Sequence, residues 1–313
     1  MLGAGGLGGY FGARLVQAGH DVAFIARGAH LAAMRANGLR IISENGDAHI
    51  APVVATDDPK TVGPVDCVIV AVKLWDLESA AESAKPLIGA RTAVVSFQNG
   101  VEKDDVLSRI VGPEHVVGGV GYIAAKIAEP GVIEQTGRIA RAVLGELDGT
   151  ETDRLNAIVQ ALTAAGIDTQ ASKAIKKATW EKFVFIVGLS GLTSLVRAPI
   201  GPIRENVEAR SLLADAMHEV VNLGIAAGID LDPGLADAQL RLCDTIPPQT
   251  RASMAVDLER GRRLELPWLS GAVARLGPQF DVDTPVNDVI TRALAIYASG
   301  AASGTGSIVI GPK

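Results

Sequence analysis

Short apolar runs alternate with amphipathic stretches through the first half of the chain. Residues 21–27 (DVAFIAR) read as a strand. Residues 66–73 (DCVIVAVK) form a continuous apolar run of strand length, as expected of a strand covered on both faces, and residues 92–97 (TAVVSF) form another. Helix-like segments lie among these runs, at 10–18 and 77–87. Strands alternating with helices imply a parallel sheet joined by crossovers. Strand-like segments near 116–125, 131–135 and 140–144 follow, with turns between them, and are expected to extend the sheet at its far edge.

After about Thr169 the pattern becomes helical. Residues 172–196 are nearly all apolar beyond Trp180, so this helix should be buried on most sides. Residues 210–227 place Leu213, Met217, Val220 and Val221 on one helical face. Pro247, Pro248, Pro267 and Pro285 punctuate what remains. The fold class that follows is α/β, with an N-terminal Rossmann-type parallel sheet over residues 1–171 and a C-terminal all-helical domain over residues 172–313. The Gly/Ser/Ala-rich stretch 299–307 reads as a mobile end.

Composition narrows the classes of function. A chain of 313 residues, 48% hydrophobic and 20% charged, can bury the cores of two domains. Aromatics are only 4%, so those cores must be built from Ala, Val, Leu and Ile. A net charge of -6 argues against a general nucleic-acid binder but leaves room for one local anion pocket. Cys67 and Cys243 lie far apart in apolar surroundings and form no CxxC, so they read as reduced thiols. No metal-ligand spacing stands out among the histidines. No apolar run is long enough to span a bilayer, and the start lacks the pattern of a signal peptide. The expectation is a cytoplasmic protein without membrane or nucleic-acid partners, with a second copy of itself as the candidate protein partner.

The first residues carry the clearest chemistry. Gly3, Gly5 and Gly8, with Ala4, Gly6 and Leu7 between them, fit G-x-G-x-x-G. In that motif the first glycine permits a tight turn, the second lets backbone approach a pyrophosphate, and the third lets the next helix pack on the strand. A helix-like segment follows, then a strand ending at Arg27, about where a ribose is read. Sites for NAD place a carboxylate there, whereas an arginine offers a fork for a 2′-phosphate. Lys73 ends the next long strand on the same carboxyl edge, and the two cations favour NADP. Only Met1 and Leu2 precede Gly3, so either the start lies upstream or strand one is a stub, with stability lowered accordingly.

The second half makes the likeness specific. Gln98-Asn99-Gly100, Trp180-Glu181-Lys182, and Ser253-Met254 followed by Glu265 occur in that order. With them come GAGGLGGYFGARL at the start, VKLWD at 72–76, GLTSL at 191–195 and TPVN at 284–287. Over nearly the whole chain this set resembles the ketopantoate reductases, which pass hydride from NADPH to the ketone of a 2-oxo acid in pantothenate biosynthesis. The resemblance implies Lys182 as proton donor and Glu265 as an acid contacting both cofactor and active site. It implies Asn99 as a bond to the nicotinamide ribose and substrate, and Ser253 as a substrate hydroxyl. The same resemblance adds Ala125 to the cofactor contacts. The cleft is expected between the sheet's carboxyl edge and the helical half.

The chain departs from that family where substrate is read. Ile186, one turn beyond Lys182, and Ser190, two turns beyond, stand where the family has Asn, and Ile200 stands at a third such position. An unmet polar group costs about 1 to 3 kcal/mol, so the reading is a 2-oxo acid reductase resembling the ketopantoate-to-pantoate enzymes with an altered substrate pocket, the substrate itself left open. The rival readings are another two-domain hydroxy-acid or opine-type dehydrogenase, which the Trp-x-Lys and distal Ser and Glu fit less well, and a non-catalytic NADP-binding sensor.

Overall fold

The computed structural model describes residues 1–301. The chain divides into two compact units, Met1–Thr179 and Trp180–Lys313. In the first, the strands are β1 (Ala23–Ile25), β2 (Leu39–Ser43), β3 (Ala48–Ile50), β4 (Val54–Thr56), β5 (Cys67–Val70), β6 (Ala93–Ser96), β7 (Val116–Glu129), β8 (Val132–Glu146) and β9 (Asp168–Ala171). The helices of this unit are α1 (Gly6–Gln17), α2 (Gly28–Asn37), α3 (Leu77–Ser83), α4 (Lys103–Val111) and α5 (Asp153–Ala164).

Six strands run in the order β3-β2-β8-β7-β6-β5, β9 also pairs with β8, and β1 pairs with β4. Leu2 joins the two groups, bridging Ile25 of β1 on one side and Val70 of β5 on the other, both in parallel. Its N–H donates to the Ile69 carbonyl at 2.8 Å and its carbonyl accepts from Ala71 at 2.9 Å. On the other side Ile25 donates to the Met1 carbonyl at 2.8 Å and accepts from Gly3 at 3.0 Å. The position between β1 and β5 is thus held by Leu2 and its flanking backbone. From β4 through β1, Leu2, β5 and β6 to β7 every pairing is parallel, whereas β7 and β8 form an antiparallel hairpin.

That hairpin is not at the far edge of the sheet. Its second strand carries β2 along residues 132–135 and β9 along residues 141–144, so it lies inside. Strand β8 is long enough to offer two pairing stretches, and the chain uses both. The short strands β2 to β4 were not among the sequence expectations. Leu39 and Ile41 are buried while Arg40 and Ile42 are exposed, an alternation too brief to announce itself.

The core lies between this sheet and its helices. Tyr10, Phe11, Ala13 and Leu15 of α1 are buried, and the Phe11 ring meets Phe97 edge-on with centroids 5.4 Å apart. Burying one such side chain is worth about 1.5–3 kcal/mol. Cys67 and Cys243 are free thiols, and burial pushes them up to about 12 and about 11, so both stay protonated near neutral pH.

Helix α6 (Ile175–Leu195) begins in the first unit and continues through the second. The second unit adds α7 (Ile200–Glu205), α8 (Val207–Ala226), α9 (Leu235–Thr245), α10 (Ser253–Glu259), α11 (Ser270–Leu276) and α12 (Pro285–Leu294). Leu213, Met217, Val220 and Val221 of α8 are all buried, the face their spacing predicts. Glu219 on the same helix caps α12 from a distance. Its Oε1 accepts from the Val286 N–H at 2.7 Å, and its Oε2 from the Asn287 N–H at 2.9 Å and Nδ2 at 2.7 Å. Thr284, in the N-cap position, makes no side-chain cap of its own. No helix among the described residues is long and apolar enough to cross a membrane. Of the segment 299–307, residues 302–307 lie outside the described residues.

One ion pair with a buried carboxylate yields a prediction. Glu146 at the end of β8 takes Arg154 Nε at 2.8 Å on Oε1 and Nη2 at 2.6 Å on Oε2, and the Thr152 hydroxyl also donates to it. Burial pushes this carboxyl up, but the hydrogen bonds from Arg154 and Thr152 outweigh it and hold it below the usual range. A depressed carboxylate contributes stability that is present above its unfolded value and is lost as pH falls through the folded one. Arg154→Ala is therefore expected to cost about 1–3 kcal/mol at pH 7. Urea melts at pH 7 and below pH 4 (roughly the ordinary carboxylate range) check the sign, because the gap from wild type must shrink in acid.

Candidate active site

At Leu2 the sheet reverses its order, with β1 to one side and β5 to the other. Loops leaving the carboxyl ends of such strands diverge and open a crevice. Gly3 follows at φ +96°, a left-handed conformation that favours glycine, and a Cβ there would lie 2.9 Å from Val72 Cγ1. A Cβ on Gly8 would lie 2.1 Å from the Gly3 carbonyl oxygen, so the helix can pack on the turn only without a side chain. Gly5 differs, because nothing stands within 4 Å of where its Cβ would be. The turn is close-packed on one side and open at Gly5. Ala125 of β7 abuts it, its carbonyl oxygen 2.1 Å from a would-be Cβ on Gly6. The first N–H groups of α1, Gly6 and Leu7 among them, begin here and need acceptors from outside the helix.

The sequence-predicted cations flank this turn. Arg27 is exposed, directly after β1, in extended backbone at the N-cap of α2. Lys73 is half-buried after β5, its Nζ 5.6 Å from the Trp75 ring centroid. Asn99 is half-buried after β6. The residue before it, Gln98, ties the two loops together. Its Nε2 donates to the Val72 carbonyl at 2.7 Å and its Oε1 accepts from Ser96 Oγ at 3.0 Å. Sequence reasoning gave Gln98 no role, and the available signal was an amide closing a buried strand, where it must find partners. The first unit therefore brings together the glycine turn, Ala125, the Lys73 loop and the Asn99 loop.

In the helical unit, α6 is buried on most of its surface, with Trp180, Phe183, Val184 and Val187 all inside. Glu181, Lys182, Phe185 and Ile186 are half-buried. They recur at one-turn spacing and form a single partly open stripe. Ser190 continues the stripe but is only 3% exposed, and Ile200 is 0% exposed. Ser253 is exposed as the first residue of α10. Glu265 is 7% exposed between the buried Leu264 and Leu266, although its neighbours Arg262 and Arg263 are exposed. By composition this charged stretch looks like surface, so the burial of Glu265 marks it out.

This chain matches known proteins along most of its length. The model described as "Ketopantoate reductase PanE/ApbA" matches residues 1–149, and its C-terminal counterpart matches residues 174–298. A 2-dehydropantoate 2-reductase of Mesorhizobium japonicum is 31% identical, covering 95% of this chain and 97% of that one. An uncharacterized oxidoreductase of Bacillus subtilis, YkpB, is 29% identical over 95% of this chain and 97% of its own. Among solved structures, a PanE/ApbA family ketopantoate reductase from Ralstonia eutropha superimposes with a TM-score of 0.87 at 31% identity, covering 95% of this chain and 97% of that one. A D-mandelate dehydrogenase in complex with NADH and anilino(oxo)acetate shares the fold, with a TM-score of 0.86 at 22% identity over 95% of this chain and 97% of that one.

The contrast between two glycines tests the turn. Gly8→Ala forces a methyl into backbone and is expected to cost about 1–3 kcal/mol of stability, as overpacking does. Gly5→Ala meets nothing in the protein and should change stability by less than about 1 kcal/mol, yet weaken dinucleotide binding at least about tenfold. Urea melts and fluorescence titration of both variants separate the two effects. A Gly5→Ala protein that binds as wild type does would remove the turn from the site.

Proposed function

The chain belongs to the ketopantoate reductase PanE/ApbA family, and on that premise we propose that it reduces the ketone of a 2-oxo acid to a 2-hydroxy acid with NADPH. The coarse class is an oxidoreductase acting on a CH–OH group with a nicotinamide cofactor. The observation that carries the reading is the glycine turn, open at Gly5 and flanked by the loops of Arg27 and Lys73 at the carboxyl edge of parallel strands.

When bound, the reduced nicotinamide supplies the hydride that adds to the ketone carbon. The orphan N–H groups at the start of α1 hold the pyrophosphate, and Arg27 and Lys73 favour a 2′-phosphate. Asn99 orients the nicotinamide ribose and the ketone. Lys182 gives its proton to the ketone oxygen as negative charge develops there, and solvent reprotonates it. Glu265 keeps a negative charge available to orient and stabilise that ammonium. Its burial supports this role, because a carboxylate out of water must be compensated. Ser253 contacts the substrate's polar end. Ile186, on the partly open stripe of Lys182, favours a 2-oxo acid whose side chain is less polar than that of ketopantoate. Ketopantoate itself, and with it a step in pantothenate biosynthesis, is one arm of the test.

The test is steady-state turnover of a panel of 2-oxo acids with each cofactor. NADPH is expected to support higher kcat/KM than NADH, and Arg27→Ala should narrow the gap. Equal or better use of NADH by the wild type would overturn the 2′-phosphate reading. Lys182→Ala is expected to lower kcat by roughly 10²- to 10⁴-fold, with cofactor binding little changed. The exposed Lys173 and Lys176 and the half-buried Lys177 should each tolerate alanine. A thermal melt on the same preparation separates lost chemistry from lost fold, and wild-type kcat in Lys182→Ala would end the mechanism for this chain.

A further inference from the structure

One side chain that the mechanism does not use holds the glycine turn from behind. His30 stands in the first turn of α2 and is half-buried. Its Nδ1 lies 3.0 Å from the N–H of Gly131, and its Nε2 lies 2.9 Å from the carbonyl oxygen of Ala4. A backbone N–H can only be accepted by an unprotonated ring nitrogen. The Gly131 contact therefore fixes the tautomer, with the ring neutral and Nε2–H donating to Ala4. Burial lowers the pKa of the ring, against the opposing pull of the Ala4 carbonyl, which agrees with a neutral imidazole. Gly131 is itself anchored, since its carbonyl accepts from the Arg40 N–H at 2.9 Å. The ring thus connects the β7–β8 turn and β2 to the second residue of the glycine motif.

The target of that contact matters because of peptide geometry. The Ala4–Gly5 unit is planar and trans, so its carbonyl and its N–H point in opposite directions. Fixing the Ala4 oxygen fixes the Gly5 N–H. Glycine tolerates most backbone angles, so an unanchored Ala4–Gly5 peptide could rotate at little steric cost. Rotation would turn a carbonyl oxygen toward the open side at Gly5, where its partial negative charge would repel a pyrophosphate. A Cβ on Gly9 would meet the Ile133 side chain first, at 2.7 Å, and then the same oxygen at 3.1 Å, so glycine leaves room there.

We propose that His30 is a positioning residue for the dinucleotide, holding the Ala4 carbonyl turned away from the pyrophosphate. The inference rests on the reading of the glycine turn as a nucleotide cradle. Two variants divide the two contacts of the ring. In His30→Gln the amide reaches the place of Nε2 and can still donate to Ala4. In His30→Asn it reaches only the place of Nδ1, keeping Gly131 and losing Ala4. Loss of one neutral hydrogen bond at the cradle predicts a Kd and KM for NADPH roughly five- to tenfold higher in His30→Asn, with kcat nearly unchanged and His30→Gln within about twofold of wild type. Thermal melts accompany both. A merely structural histidine predicts that NADPH affinity is alike in the two variants, and that outcome overturns the proposal. Nitrogen-15 spectra of the wild-type imidazoles give a test that needs no variant, because a hydrogen on His30 Nδ1 would also overturn it. If the wild type binds neither NADPH nor NADH, the cradle reading itself fails and takes this one with it. If it binds and the variants do not differ, only the role of His30 falls.

Discussion

The first unit depends on the backbone of Leu2. Its own N–H and carbonyl bond β5, while the flanking carbonyl of Met1 and N–H of Gly3 bond β1. Without these bonds the β1–β4 pair would have no ladder to the rest of the sheet. The spacing of the two cations proposed to read the 2′-phosphate depends on the same residue. Arg27 follows β1 and Lys73 follows β5, so Leu2 sets the two cationic loops two strand spacings apart, roughly 10 Å. Gly3 then turns between them. Because the contact is made by backbone, the side chain of Leu2 is free to serve the core, where it is 2% exposed.

What could be read in the sequence was what neighbouring residues decide. The apolar runs that became β5 and β6, the face of α8 and the three glycines each follow from spacing within one element. What could not be read was the choice of distant partners. The β7–β8 hairpin was expected at an edge, but it lies inside because β2 and β9 both pair with its outer strand. For β2 that choice spans the separation of Arg40 from its partner Val132, far beyond any local pattern. β2 itself carries the Asn45-Gly46 turn signal ahead of β3, and its buried residues do alternate, but two short strands with exposed charges resemble a loop. Gln98 is similar, since an amide closing a buried strand signals a need for partners but not that Val72 is the one within reach. Glu265 was singled out through its motif, but only the fold shows that a stretch of arginines hides a buried carboxylate.

The three positions at which the resemblance implies amides are not equivalent in burial. Ile200 is fully buried and Ser190 nearly so, whereas Ile186 is half-buried on the stripe with Lys182. At a fully buried position an amide must find protein partners, and replacing it with isoleucine removes that demand and adds packing. At a partly open position the same replacement changes what can approach. On the proposed function, an apolar residue is a matter of stability at Ile200 and of recognition at Ile186.

The cap that Glu219 supplies to α12 bears on how the chain reaches its fold. The carboxylate and the N–H it accepts are 67 residues apart, and the N-cap threonine supplies no side-chain cap. Helix α12 has ten residues, too short to persist alone in water. The cap that completes its first turn in the folded chain forms only when α8 is in place, a contact of long sequence separation. In synthesis from the N-terminus α8 is made well before α12, so the acceptor is ready when its donors emerge. A circular permutant that presents α12 first would reverse this order, leaving a helix that must wait, uncapped, for its carboxylate.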